Sequence, residues 1–258
     1  MMRALYTAAS GMMAQQMNID NVSHNLANYQ SVGFKKSRVT FEDLLYATMR
    51  DPNAEASGGT QIGMGVKAVS TQRMFSQGSL QKTNNPFDVA IQGDGFFKVQ
   101  LADGTTAYTR DGSFKYDGET NTLTTQSGQS LGITIPKDMT NIEITPKGEI
   151  KGVRLGSDNT EPVTIGQIKL TRFLNPAGLE AIGGNLYLEK PTCGAKTECI
   201  PGENGMGVLA QGHLEKSNIN IVEEMINIVQ AQRAFDMNQK GVQAADEMMR
   251  QANQLQRG

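Results

Sequence analysis

A seven-residue repeat at both ends of the chain is the feature that most limits how it can fold. Near the C-terminus Ile221, Ile228, Phe235, Val242 and Met249 recur at that spacing, with Ala231, Ala245 and Ala252 three places after three of them. This is the apolar seam of a long helix that supercoils against a partner. Met225 is counted with it. Asn220 can cap the start, Glu223 and Glu224 place negative charge in the first turn, and no proline interrupts the helix after them. At 1.5 Å per residue such a helix would run roughly 54 Å, longer than a small domain is wide. The opposite terminus carries the matching stripe, Leu5, Met12, Ile19 and Leu26, with Ala8 and Val22 in the offset positions. The two stripes predict one discontinuous coiled-coil domain built from the chain's two ends, and these ten positions are its predicted assembly seam.

A lone amphipathic helix normally lays its stripe on its own core. Here the other faces carry amides in place of the Lys and Glu of a solvated helix, among them Gln15, Gln16, Asn18, Asn21 and Asn25 in front and Gln230, Gln232, Asn238, Gln239 and Gln243 behind. Amides can pair across a packed surface without burying net charge, so helices built this way suit many neighbours. Ala8, Ala9, Ser10 and Gly11 make one turn of the first helix slim. Gly11 costs about 1 kcal/mol against Ala in a helix interior, which points to a close neighbour there.

A formal net charge of −2 gives no global footprint for nucleic acid or anionic membrane, and neither partner is expected. No run of 18 apolar residues predicts a membrane span, and the first sixteen residues lack the apolar region and cleavage site of a secretory signal. Any export would take another route. With no Trp and 14 Met, the core must rest on aliphatics, Phe and Met.

Between the termini the period changes. The spacing predicts a helix from Arg3 to about Tyr29 with Gly33 in a left-handed turn after it, a short helix over Phe41 to Met49, and an open connector from Asp51 to Thr60. From Gly65 onward alternation predicts strands at 67–71, 88–91, 96–101, 107–109, 131–135, 142–145, 150–155, 163–173 and 185–189. Asp94-Gly95, Asp103-Gly104, Asp111-Gly112 and Asp117-Gly118 are of the sort that supply positive φ to tight turns. Gly194 to Gly207 reads as irregular. The fold class is therefore α+β: a coiled-coil domain from the N- and C-terminal helices plus a mainly antiparallel β middle domain. Its segments are 1–35 for the first helix, 36–66 for the connector, 67–216 for the β domain and 217–258 for the second helix.

No catalytic, cofactor or metal site is expected. Gly128-Gln129-Ser130-Leu131-Gly132 matches a nucleophile elbow, but that motif needs a helix after the serine, and Ile133-Thr134-Ile135-Pro136 offers a strand. Gly63 to Ala68 and Gly205 to Ala210 fit a loose dinucleotide pattern in a β context with no helix opening behind it. His24 and His213 have no second ligand or nucleophile at useful spacing.

Four blocks in order carry a resemblance. Asn25-Leu26-Ala27-Asn28 with Gly33-Phe34-Lys35-Lys36, then Asp88 to Phe97 with Gly93, Gly95, Phe96 and Phe97, then Tyr108 to Phe114, and finally Ser217 to Asn220 with Gln232 to Phe235, resemble the bacterial flagellar basal-body rod and hook proteins. Length, Phe41 to Tyr46 and the connector are most similar to the distal-rod members. Tyr29, Ser31, Phe235 and Asp236 depart from the family's usual residues. The resemblance implies export unfolded through the flagellar type III apparatus without a cleavable signal, and helical polymerisation in the periplasm. The terminal helices would then line the export channel and the β region would form the outer wall. It implies as partners further copies of the chain, proximal rod subunits, the hook protein, the surrounding ring proteins and the export apparatus. The alternatives are a proximal rod or hook subunit and, from another class, a periplasmic glycan-acting β-protein with oligomerisation helices. In the oxidising compartment so implied, the short loop between Cys193 and Cys199 invites a disulfide, although spacing alone leaves two reduced thiols equally open.

Overall fold

The computed structural model describes residues 2–50, 60–154 and 162–255. The connector read over 51–60 lies outside the described residues, apart from Thr60. By its contacts the chain divides into two units, one of Met1–Ala27, Ser37–Met74 and Asn220–Gly258, the other of Asn28–Lys36 and Phe75–Ile219. The fold is α+β, with a helix near each end of the chain and antiparallel strands between.

In the helical unit α1 (Met2–Ala27) packs on α2 (Ile221–Leu255). Asn220 caps α2 as its sequence suggests: its Oδ1 accepts from the Val222 N–H at 3.1 Å and its carbonyl from the Glu224 N–H at 3.0 Å. The stripes face inward in part. Leu5, Met12, Ile19 and Leu26 on α1, and Ile221, Ile228, Phe235, Val242 and Met249 on α2, are half-buried, while Ala14, Val22, Ala231 and Ala245 between them are buried. Met225 differs, at 54 % exposed. The buried position three after Ile221 is Glu224, as Ala231 is three after Ile228, so Met225 falls one place beyond the seam, on its flank.

Phe41–Met49 is not a helix. β1 (Ser37–Asp43) pairs antiparallel with β4 (Val66–Arg73), and β2 (Tyr46–Arg50) pairs with β3 (Thr60–Gly63). The helical spacing of Phe41, Leu44 and Leu45 comes instead from the bend between β1 and β2, where the Leu44 N–H bonds to the Gly65 carbonyl at 2.8 Å. β1 and β4 also pack on α1, so residues 37–74 group with the helices and not with a connector and β domain meeting at residue 66. Residues 28–36 conversely group with the β unit.

The β unit is organised around the strand Phe96–Gln100. It sits inside a nine-stranded sheet and pairs with Thr106–Thr109, Ser130–Thr134 and Leu170–Phe173. A three-stranded sheet of Met139–Ile144, Glu149–Arg154 and Val163–Gln167 packs beside it through Ile144, Ile150 and Ile168. The stretch 163–173 is therefore two strands in two sheets, broken where the Ile168 N–H turns to the Gly148 carbonyl at 2.7 Å. Gly194–Gly207 also holds regular structure: Lys196–Cys199 pairs with Leu170–Phe173, from Phe173 opposite Lys196 to Leu170 opposite Cys199. Of the four Asp-Gly pairs only Gly95 and Gly104 have positive φ. Gly112 is needed for room, because a side chain there would run into the Val89 carbonyl, and the turn after Asp117 takes its positive φ from Asn121.

Candidate functional site: two packed helices and a buried charge junction

Two places in the molecule are built with unusual precision, one in each unit. In the helical unit the slim turn of α1 has its neighbours. A Cβ at Gly11 would lie 2.8 Å from Asn238 Nδ2 on α2, and Ser10 Oγ sits against Gly65 and within 3.4 Å of the Val66 N–H. Further along α1, Asn21 and Asn25, one turn apart, both donate to the Ser37 carbonyl, at 2.9 and 2.8 Å. Asn25 Oδ1 accepts from the Ser37 N–H at 3.0 Å, and Ser37 Oγ bonds to Asn21 Oδ1 at 2.6 Å. These two amides thus hold the first residue of β1 inside the same chain. Leu26 is half-buried and Ala27, the last residue of α1, is exposed.

In the β unit three charges meet out of water. Lys35 Nζ lies 2.6 Å from Glu215 Oε1 with both side chains fully buried, and Arg110 Nη1 lies 3.5 Å from Glu215 Oε2. Each charge is held by backbone as well. Lys35 Nζ donates to the Ser76 carbonyl at 2.8 Å, Arg110 Nη1 to the Gly93 carbonyl at 2.8 Å, and Glu215 Oε1 accepts from the Gly78 N–H at 2.9 Å. The Arg110 guanidinium stands over the Phe96 ring, 5.3 Å from its centre. Burial pulls both cations below their ordinary pKa, and the Glu215 carboxylate opposes that pull in each.

The motif residues are the frame of this junction. Gly33, at φ +68, donates its N–H to the Glu215 carbonyl at 2.8 Å, and a Cβ there would lie 2.7 Å from the Asp111 nitrogen. Phe34 is buried, and Asn28 Oδ1 accepts from Ser31 Oγ at 3.3 Å. Gly95 backs onto Leu170, while Phe97 stacks edge-on with Phe114 at 5.1 Å. Asn218 receives the Lys36 N–H at 2.8 Å and donates to Ser76 Oγ at 2.9 Å. Asp111 accepts from both the N–H and the hydroxyl of Ser113, at 2.9 and 2.7 Å, yet burial pushes its carboxyl up.

Nothing local in the sequence marks this triad. Lys35 and Glu215 are 180 residues apart, and each stands beside another charge, Lys36 and Lys216, that does not join the triad. The one available signal is that Lys35 and Arg110 lie inside the motif blocks although neither residue type suits a core.

The cysteines form no bridge. Both thiols are free. Cys193 is buried with Phe96, Tyr108, Phe173 and Tyr187, whereas Cys199 packs on the separate cluster around Ile150 and Leu170. The strand Lys196–Cys199 stands between, and four extended residues carry the chain roughly 10 Å, away from the geometry a disulfide needs. Ser130 opens a strand and not a helix, so it is no nucleophile elbow. Among the described residues no group of three or more His, Cys, Asp and Glu side chains could hold a metal ion, and no helix is long and apolar enough to cross a membrane.

The chain falls in the class of the flagellar rod and hook proteins. Three family profiles match: flagella basal body rod protein over 5–35, flagellar hook protein FlgE/F/G D1 domain over 90–152, and flagellar basal body rod FlgEFG protein C-terminal over 210–255. Lys35, Arg110 and Glu215 fall one in each. The chain is 48 % identical to the flagellar basal-body rod protein FlgG of Borreliella burgdorferi over all of both chains. It is 44 % identical to that of Caulobacter vibrioides over 98 % of this chain and 99 % of the other. A flagellar hook protein FlgE, from Helicobacter mustelae, is 37 % identical over 63 % of this chain but only 36 % of its own length. The chain belongs to the flagellar basal-body rod protein family and is a structural subunit of the rod.

Proposed function

We propose that copies of this chain polymerise with helical symmetry into the distal part of the rod, transmitting torque to the hook and enclosing the export channel, through contacts carried by the helical unit. The observation that carries this reading is a second apolar face on α2, separate from the half-buried stripe. Val222, Met225, Ile226, Val229, Met237 and Met248 are between 46 and 71 % exposed, and Tyr6, Met13 and Met17 on α1 are between 52 and 68 % exposed. A single chain leaves this surface wet, at about 25 cal/mol for each Å². Further copies applied head to tail would cover it, and such a contact propagates when the rotation does not close a ring.

The reading extends to proximal rod subunits, the hook protein, ring proteins and the export apparatus as partners, in the periplasmic part of the basal body. It assigns the chain no catalysis, no nucleic-acid partner and no insertion into membrane. Electron microscopy of concentrated protein tests it. Straight tubes are expected from the wild type, and none from Val229→Asp, whose thermal unfolding should match the wild type because that side chain is already half in water. Discrete particles that turn over a glycan would replace this reading with that of an oligomerising glycan-acting protein. Normal tubes from Val229→Asp would remove the exposed face from the interface.

A further inference from the structure

The β unit contains a cavity of about 170 Å³ whose walls are the rings of Phe75, Phe96 and Phe173. Its charged lining is Arg110, Arg172 and Asp94. Arg110 is 2 % exposed, and its Nε–H has no hydrogen-bond partner. Arg172 is exposed, lies against Gly205 and makes no ion pair among the described residues. Behind the wall Lys35 adds a second buried cation and Glu215 a carboxylate. The lining itself thus carries two cations and one carboxylate, and while Arg110 shares Glu215 with Lys35, Arg172 has no carboxylate of its own among the described residues.

We propose that this cavity receives the carboxylate side chain of an acidic residue presented by a neighbouring copy of the chain, with Arg172 as the group that touches it and Arg110 as the charge behind it. Size selects the occupant. The space is several times the ~30 Å³ share of one water, yet small beside the ~300–1,000 Å³ of sites that enclose free small molecules, so it fits one side chain. Charge selects it too, since the lining carries two arginines against the single carboxylate of Asp94. The neighbouring copy as the source rests on the proposed polymerisation and extends it from the helical unit to the β unit: a head-to-tail contact sets unlike surfaces of two copies against each other, so a pocket on one can take a side chain of the next. The exposed Leu174, at 83 %, stands beside the opening, where such a surface would also cover it.

The test has two arms. In the first, the full chain as monomer is titrated with the blocked peptide acetyl-Ala-Glu-Ala-amide and its Gln counterpart, following the amide resonances of Gly95 and Leu174. Wild type is expected to bind the Glu peptide about tenfold more tightly than the Gln peptide, as for a charge-assisted hydrogen bond, and Arg172→Gln to lose the preference. In the second arm Arg172→Glu, on an exposed side chain that leaves the fold intact, should elongate about tenfold more slowly than wild type with an unchanged β-unit melting midpoint. Equal affinity of wild type for the two peptides overturns the site. Elongation of Arg172→Glu at the wild-type rate overturns the neighbouring copy as its occupant. A wild type that forms no polymer at all is a different failure: it overturns the rod reading and that occupant with it, while the peptide titration still decides the site.

Discussion

The two units treat polar and apolar groups in opposite ways. The helical unit leaves a row of large apolar side chains in water and fits close contacts around glycines, Gly11 against Asn238 and Gly65 against Ser10. The β unit buries Lys35, Arg110 and Glu215 together beside aromatic side chains such as Phe96, Tyr108, Phe173 and Tyr187, with backbone carbonyls and N–H groups holding the three charges. On the proposed reading the first is a surface for further copies, whereas the charge triad of the second closes within one chain. The difference teaches where stability and assembly reside: the β unit should fold on its own contacts, whereas the helical unit should respond to anything that changes its neighbours.

The sharpest way to break the β unit is to take the anion out of the junction. Glu215→Ala would leave Lys35 and Arg110 facing each other, both buried, and would free the Gly78 N–H. Removing one partner of a buried ion pair costs about 3–5 kcal/mol. Denaturant titration followed by the near-ultraviolet signal of Tyr108 and Tyr187 should show a loss of that size. A loss below about 1 kcal/mol would mean that the triad is a passive occupant of the core.

The helical unit answers to a different substitution. Ile228→Asp sets a carboxylate in the half-buried stripe and should cost about 2–3 kcal/mol in the helical unit, with the β-unit transition unmoved. Gln230→Asp, exposed two places on, adds the same charge and should cost less. Helical circular dichroism and the tyrosine signal, recorded in one melt, separate the two units. A single coincident transition shifted by Ile228→Asp would mean that the units do not unfold separately.

What is legible in the sequence divides along the same line. The terminal helices can be read directly because a seven-residue repeat is local and its meaning is geometric: Ile221 to Met249 face one way whatever they pack on. Strands such as Phe96–Gln100 and Thr106–Thr109 are legible for the same reason, at period two. The hairpin from Phe41 is not, because Phe41, Leu44 and Leu45 have helical spacing and only pairing with β4 and β3 decides otherwise. The junction is not legible either. A lysine, an arginine and a glutamate spread over 180 residues acquire meaning only when the chain has closed. Cys193 and Cys199, close in sequence, are separated by a strand whose composition is that of a loop.

A smaller effect sharpens the helical side. Gly11→Ala gains about 1 kcal/mol of helix propensity but brings a methyl within 2.8 Å of Asn238 Nδ2. In the wild-type background the crowding should offset part of that gain, since the Asn238 amide must shift to make room. In an Asn238→Ala background the same change should stabilise more, so the two substitutions should couple by about 0.5–1 kcal/mol in a double-mutant cycle. Additive effects would show that Gly11 and Asn238 do not set the distance between α1 and α2.

The smallest effect belongs to the β unit and has the opposite sign from what a motif residue suggests. Asp111 keeps its two bonds to Ser113, but burial raises its carboxyl above the ordinary value of 3.8. A carboxyl with a raised folded pKa binds its proton more tightly when folded than when unfolded. Stability therefore falls as pH rises from 3.8 through the raised value, and the full cost is present at neutral pH. Asp111→Asn retains an oxygen that can accept both Ser113 bonds and removes the charge. It should be more stable than wild type at pH 7 by less than about 1 kcal/mol, with the advantage vanishing below pH 3.8. Urea midpoints at about pH 7 and about pH 3.5, on either side of that window, decide it. A destabilised Asn variant at neutral pH would mean that the charge at Asp111 is needed beside the buried arginine next to it in sequence, and that the junction contains four charges and not three.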